Sequence, residues 1–89
     1  MKKRVYLIDL RNKKGLTQLD ISKRMGISES YYNLIEQGQR QKNMNIVILY
    51  GLSKALKVPV NTLVDKEINF ARKGDNHLWL EKYLTDTQF

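Results

Sequence analysis

The sequence contains no cysteine. That excludes a disulfide framework, a thiol nucleophile and a cysteine-based zinc site. The single histidine, His77, excludes a multi-histidine metal site, and its place beside an expected helix start suits a surface or capping residue. No apolar run approaches the roughly 18 residues of a membrane-spanning helix. Lys2, Lys3 and Arg4 make a basic start, but Asp9 and Arg11 interrupt the apolar stretch that a secretory signal needs, so the expectation is a cytoplasmic chain without membrane contact. No internal repeat or low-complexity segment occurs. The carboxylates Asp9, Asp20, Asp65, Glu67, Asp75, Glu81 and Asp86 show no paired spacing with a nucleophile or base, and there is no glycine-rich phosphate loop. The reading is therefore a protein that is not an enzyme and needs no cofactor or metal.

Acidic residues are also scarce. Nine face sixteen lysines and arginines, for a net charge of +7. The imbalance is local: residues 1–42 hold ten basic and four acidic side chains, and residues 43–89 hold six and five. A polyanion bound by this chain should meet its first half.

Glycine and proline divide the remainder. Gly15, Gly26, Gly38, Pro59 and Gly74 separate short apolar-periodic stretches, the pattern of a small all-α protein with tight turns. The first helix is expected over residues 3–14, with Leu7, Leu10 and Lys14 on one stripe and Arg11 beside them. Gly15 supplies the left-handed position that ends it. Thr17 caps the second, and Asp20 three residues on completes an acidic capping box. Ile21, Ser22 and Met25 form its inner face, and Gly26 closes it. Ser28 caps the third, Glu29 suits its dipole, Tyr32 and Ile35 face inward, and Gly38 stops it. Two short helices joined by Gly26-Ile27-Ser28 make a helix-turn-helix.

Residues 39–44 are polar and basic and read as a loop. Asn45 caps a fourth helix, Ile46–Leu56, in which Gly51 is a weak point of about 1 kcal/mol relative to alanine. Pro59 forces a break, and Val60–Val64 reads as a short fifth helix. Residues 65–76, where Ile68 and Phe70 alternate, read as a loop or short strand. A last helix is expected over 77–85, bearing the apolar stripe Trp79, Leu80, Tyr83 and Leu84.

The run from Leu10 to Arg40 carries Arg11, Gly15-Leu16-Thr17-Gln18, Gly26-Ile27-Ser28 and Ile35-Glu36-Gln37-Gly38 at fixed spacings. It resembles the phage repressor/Cro family, also called XRE-type regulators. Leu52, Ala55, Leu56, Val58 and Leu63 continue the likeness, which spans about residues 4–64. The resemblance implies an all-α, five-helix repressor-like domain over residues 1–64, binding operator DNA as a homodimer and regulating transcription. Residues 65–89 are then a C-terminal extension, and its stripe of Trp79, Leu80, Tyr83 and Leu84 is a candidate dimer or partner-protein contact. The chain departs from the family in having no proline in the loop after helix three, which also looks longer than usual.

By the same resemblance, Ser28, Glu29, Ser30 and Asn33 read bases. Asparagine can contact adenine through two hydrogen bonds, and a glutamate can accept from cytosine. Thr17 and Gln18 sit at the start of helix two, where Gln18 meets a phosphate and braces the reading side chains. Tyr31 meets phosphate or sugar, while Tyr32 belongs to the core. Gln37, Gln39, Arg40, Lys42 and Asn43 grip flanking phosphates. Arg11 and Glu36 form a partly buried ion pair with a structural role. Of Lys2, Lys3, Arg4, Lys13, Lys14, Lys23 and Arg24, one or two are expected on phosphates and the others in solvent. The leading reading is a dimeric repressor of an inverted-repeat site in double-stranded DNA. The alternative is an antitoxin or adaptor whose segment 65–89 holds a partner protein.

Overall fold

The computed structural model describes residues 2–74. It contains α1 (Val5–Lys13), α2 (Gln18–Met25), α3 (Glu29–Glu36), α4 (Ile46–Leu56) and α5 (Val60–Gly74), and no strand among the described residues. The helix expected over 77–85, with Trp79, Leu80, Tyr83 and Leu84, lies outside the described residues.

Local chemistry explains where the middle helices begin. Thr17 Oγ1 accepts from the Asp20 amide at 3.0 Å, and Asp20 returns the bond by accepting from the Thr17 amide at 2.9 Å. Ser28 Oγ accepts from the Tyr31 amide at 3.0 Å, and Asn45 Oδ1 from the Ile48 amide at 2.8 Å. Each bond satisfies one of the amides that a helix leaves unpaired in its first turn. Gly26 ends α2 in the left-handed region at φ +72°. Gly38 has φ +76°, and a Cβ there would run into the Lys2 carbonyl oxygen, so both conformation and space require glycine.

The core takes at least one residue from every helix: Leu7, Ile21, Tyr32, Ile35, Leu52, Ala55, Leu56 and Leu63. α2 lies against both α3 and α4, and α4 carries α5. The second and third helices are thus fixed together on a rigid support, with the start of α3 turned outward.

α5 corrects the sequence reading. The expected short helix ending at Val64 continues ten residues to Gly74, so the loop or strand expected over 65–76 is helix as far as Gly74. The boundary drawn between residues 64 and 65 falls inside one uninterrupted element. The cause is a polar residue at an inward position. Leu63, Glu67 and Phe70 are spaced i, i+4, i+7 and share one face of α5. Glu67 breaks the apolar pattern, which left the spurious alternation of Ile68 and Phe70.

Candidate nucleic-acid interface

Ser28, Glu29 and Ser30 are exposed around the first turn of α3, the end that can enter a groove. Asn33 lies one turn on and is half-buried. Its Oδ1 accepts from Gln18 Nε2 at 2.9 Å, and the same Nε2 group donates to Glu36 Oε1 at 2.8 Å. Gln18 therefore ties the start of α2 to the middle and the C-terminal end of α3, while Thr17 beside it is exposed. The Asn33 amide is held in one orientation, with its nitrogen and a second lone pair still available.

Behind this contact lies an ion pair. Arg11 Nε donates to Glu36 Oε2 at 2.6 Å and Nη2 donates to Oε1 at 3.2 Å, while Nη1 donates to the Leu16 carbonyl at 3.0 Å. Glu36 is buried. Burial alone would raise its pKa, but Arg11 first, then the nearby Tyr32 hydroxyl and the Gln18 donor, outweigh burial and hold the carboxyl below its ordinary range. The Glu36 carboxylate in turn raises the Arg11 pKa. The buried Tyr32 hydroxyl lies near Glu36 without a bond of normal geometry, and burial pushes its pKa up. An unbroken line of polar contacts thus runs from Arg11 through Glu36 and Gln18 to Asn33.

The loop after α3 is the third component. Gln39, Arg40, Lys42 and Asn43 are exposed, and Gln37 is half-buried. Gln41 occupies the left-handed region at φ +58°. Its side chain explains how a non-glycine residue is kept there: Nε2 donates to the Tyr31 hydroxyl at 2.9 Å, and Oε1 accepts from the Asn45 amide at 3.1 Å. Tyr31 is half-buried, so its hydroxyl braces the loop as well as facing it.

Two arginines expected among the surface cations are structural. Arg24 Nη1 donates to the Ala55 carbonyl at 2.7 Å, capping the end of α4. Arg4 is completely buried. It pairs with Glu67, and Nη2 to Oε2 measures 2.8 Å. Sequence reasoning missed Arg4 and Gln41. No local spacing marks Arg4, because its counter-ion is 63 positions away. Gln41 is one polar loop residue among several, and only the backbone conformation distinguishes it.

Among the described residues there is no cluster of histidine, cysteine or carboxylate side chains able to hold a metal, and no helix long and apolar enough to cross a membrane.

Residues 7–63 match the helix-turn-helix family. An uncharacterized HTH-type transcriptional regulator, y4dJ of Sinorhizobium fredii, is 43% identical over 49 residues, which cover 55% of this chain and 61% of the relative. The chain thus matches about three fifths of the length of that curated relative. Among solved structures, the restriction-modification controller protein C.AhdI from Aeromonas hydrophila superposes with a TM-score of 0.61 at 33% identity, covering 67% of this chain and 88% of the controller. The controller C.Esp1396I gives a TM-score of 0.62 at 25% identity, with 81% and 91% covered. The helical arrangement is thus shared with a solved controller protein, and the chain belongs to the helix-turn-helix family of DNA-binding transcriptional regulators.

Proposed function

We propose that the protein binds an inverted-repeat operator in double-stranded DNA as a homodimer and represses transcription by occupying it. The observation that carries this reading is the held Asn33 beside exposed Ser28, Glu29 and Ser30. A side chain fixed by Gln18 loses less freedom when it meets a base, so discrimination is stronger than from a free rotor. Thr17 and Gln18 at the start of α2, with Tyr31, Gln37, Gln39, Arg40, Lys42 and Asn43 around α3 and its loop, set the register on phosphates and sugars. The setting for such a protein is the cytoplasm.

The dimer has its own support. On α4, Ile46 is 79% exposed and Val47 74%, and Tyr50 one turn on is also exposed. Large apolar side chains left open on one helix suit burial against a second copy. Two copies would place their α3 helices about 34–36 Å apart, in successive major grooves. The likeness to C.AhdI and C.Esp1396I favours a regulator that controls a restriction-modification system.

The test is selection from randomised duplex DNA at two salt concentrations. Enrichment of an inverted repeat with half-sites about 10 base pairs apart is expected. Weak, salt-sensitive and sequence-blind binding would overturn the reading.

A further inference from the structure

The buried Arg4 has more partners than an ion pair needs. A guanidinium offers five N–H donors, and here each has an acceptor. Nε donates to Glu67 Oε1 at 2.9 Å and Nη2 to Glu67 Oε2 at 2.8 Å. Nη1 donates to the carbonyls of Ile35 at 2.8 Å and Arg40 at 3.1 Å, and the second Nη2 hydrogen goes to the Gln41 carbonyl. The Arg4 backbone amide donates to the Glu36 carbonyl at 2.8 Å. The Phe70 ring covers the guanidinium, with 4.7 Å from Cζ to the ring centroid, and the Tyr6 hydroxyl donates to Glu67.

These acceptors have a common character. Ile35 and Glu36 are carbonyls at the C-terminal end of α3, where a helix leaves acceptors unpaired and its dipole favours a cation. Arg40 and Gln41 are the backbone of the exposed loop, and they bracket the point where the chain turns through the left-handed region. One guanidinium therefore joins the end of the reading helix, the basic loop and the second half of α5.

We propose that Arg4 is a positioning residue for the DNA-facing loop: gripped by Glu67 and Phe70 of α5, it fixes the Arg40–Gln41 backbone so that Arg40 and Lys42 present their charges at the edge of α3. The proposal rests on the DNA-binding reading of that loop. Arg4 touches no DNA, and it acts through the loop charges. Its influence on binding should vanish when those charges are removed, whereas a residue that only stabilises the fold affects binding equally with or without them.

The experiment is a mutant cycle on the full chain, with affinity for a mixed-sequence duplex as the readout. Arg4→Lys keeps the charge near Glu67 but lacks the planar fork that reaches three carbonyls at once. It should weaken binding about tenfold in the wild-type background and less than about twofold beside Arg40→Ala with Lys42→Ala. The same fold-loss in both backgrounds overturns the proposal. If Arg4→Lys does not fold, Glu67→Gln replaces it in the same cycle, and equal losses there overturn it as well. Failure of the DNA-binding reading would show separately, as wild-type protein without salt-sensitive affinity for duplex. Hydrogen exchange at the Arg40 and Asn45 amides then judges the clamp without DNA. Faster exchange in the variant supports it, and unchanged exchange overturns it.

Discussion

Asn33 and Arg40 sit on neighbouring segments and should fail differently. Asn33 is oriented by Gln18, so Asn33→Ala should cost about 1–3 kcal/mol on the preferred site and relax selectivity at one base pair. Selection with the variant checks this, and an unchanged preference would remove Asn33 from the reading set. Arg40 is exposed on the loop. Arg40→Ala should weaken all sequences alike and reduce the slope of log affinity against log salt by about 1. Titration at several salt concentrations measures it. Glu36 supplies a pH signature. Its folded-state pKa is depressed, so its stabilising contribution is present above the unfolded value of about 4.3 and is lost as pH falls through the folded value. Urea midpoints measured from pH 6 downward should therefore drop steeply for the wild type and less for Glu36→Gln.

The helices differ in how far the sequence announces them. Caps are local, so Thr17 with Asp20, Ser28 and Asn45 placed the starts of α2, α3 and α4 at the residues where the structure begins them. The second half of α5 was illegible for a physical reason. Its inward position is Glu67, a residue that single-sequence periodicity assigns to solvent, and the distant Arg4, with the Tyr6 hydroxyl, makes burial of that carboxylate tolerable. The candidate site divides the same way. Residue types at the start of α3 were readable, but the left-handed Gln41 and its bonds to Tyr31 and Asn45 depend on the path of the loop. The Arg4–Glu67 pair gives this element its prediction. A chain with Glu67→Ala leaves the Arg4 charge buried without its counter-ion and should be less stable by about 3–5 kcal/mol than the wild-type chain. Urea unfolding of the two chains compares them directly.

For the whole molecule, the exposed apolar residues of α4 are the feature that a lone domain in water explains least well. Val47→Asp should shift sedimentation from dimer to monomer without loss of helical circular dichroism, because Val47 is outside the core. Affinity for the inverted repeat should then fall far more than affinity for a single half-site, since linkage of two reading helices is lost.

The inward use of arginine has a consequence for motion. Arg4 and Arg11 are committed to carbonyls and carboxylates inside the fold, and the exposed Arg24 is tied to the Ala55 carbonyl at its edge. The outward charge of the first half is thus left mainly to lysines: Lys2, Lys3, Lys13, Lys14, Lys23 and Lys42 are exposed, with Arg40 beside them. An ammonium attracts phosphate as a point charge and imposes little geometry, whereas a guanidinium locks onto it through a planar fork. A surface of this kind holds DNA without fixing a position on it. In the proposed DNA-binding role, such a surface lets the protein slide and hop until the start of α3 meets its bases, and arrest at the operator falls to Asn33 and its neighbours.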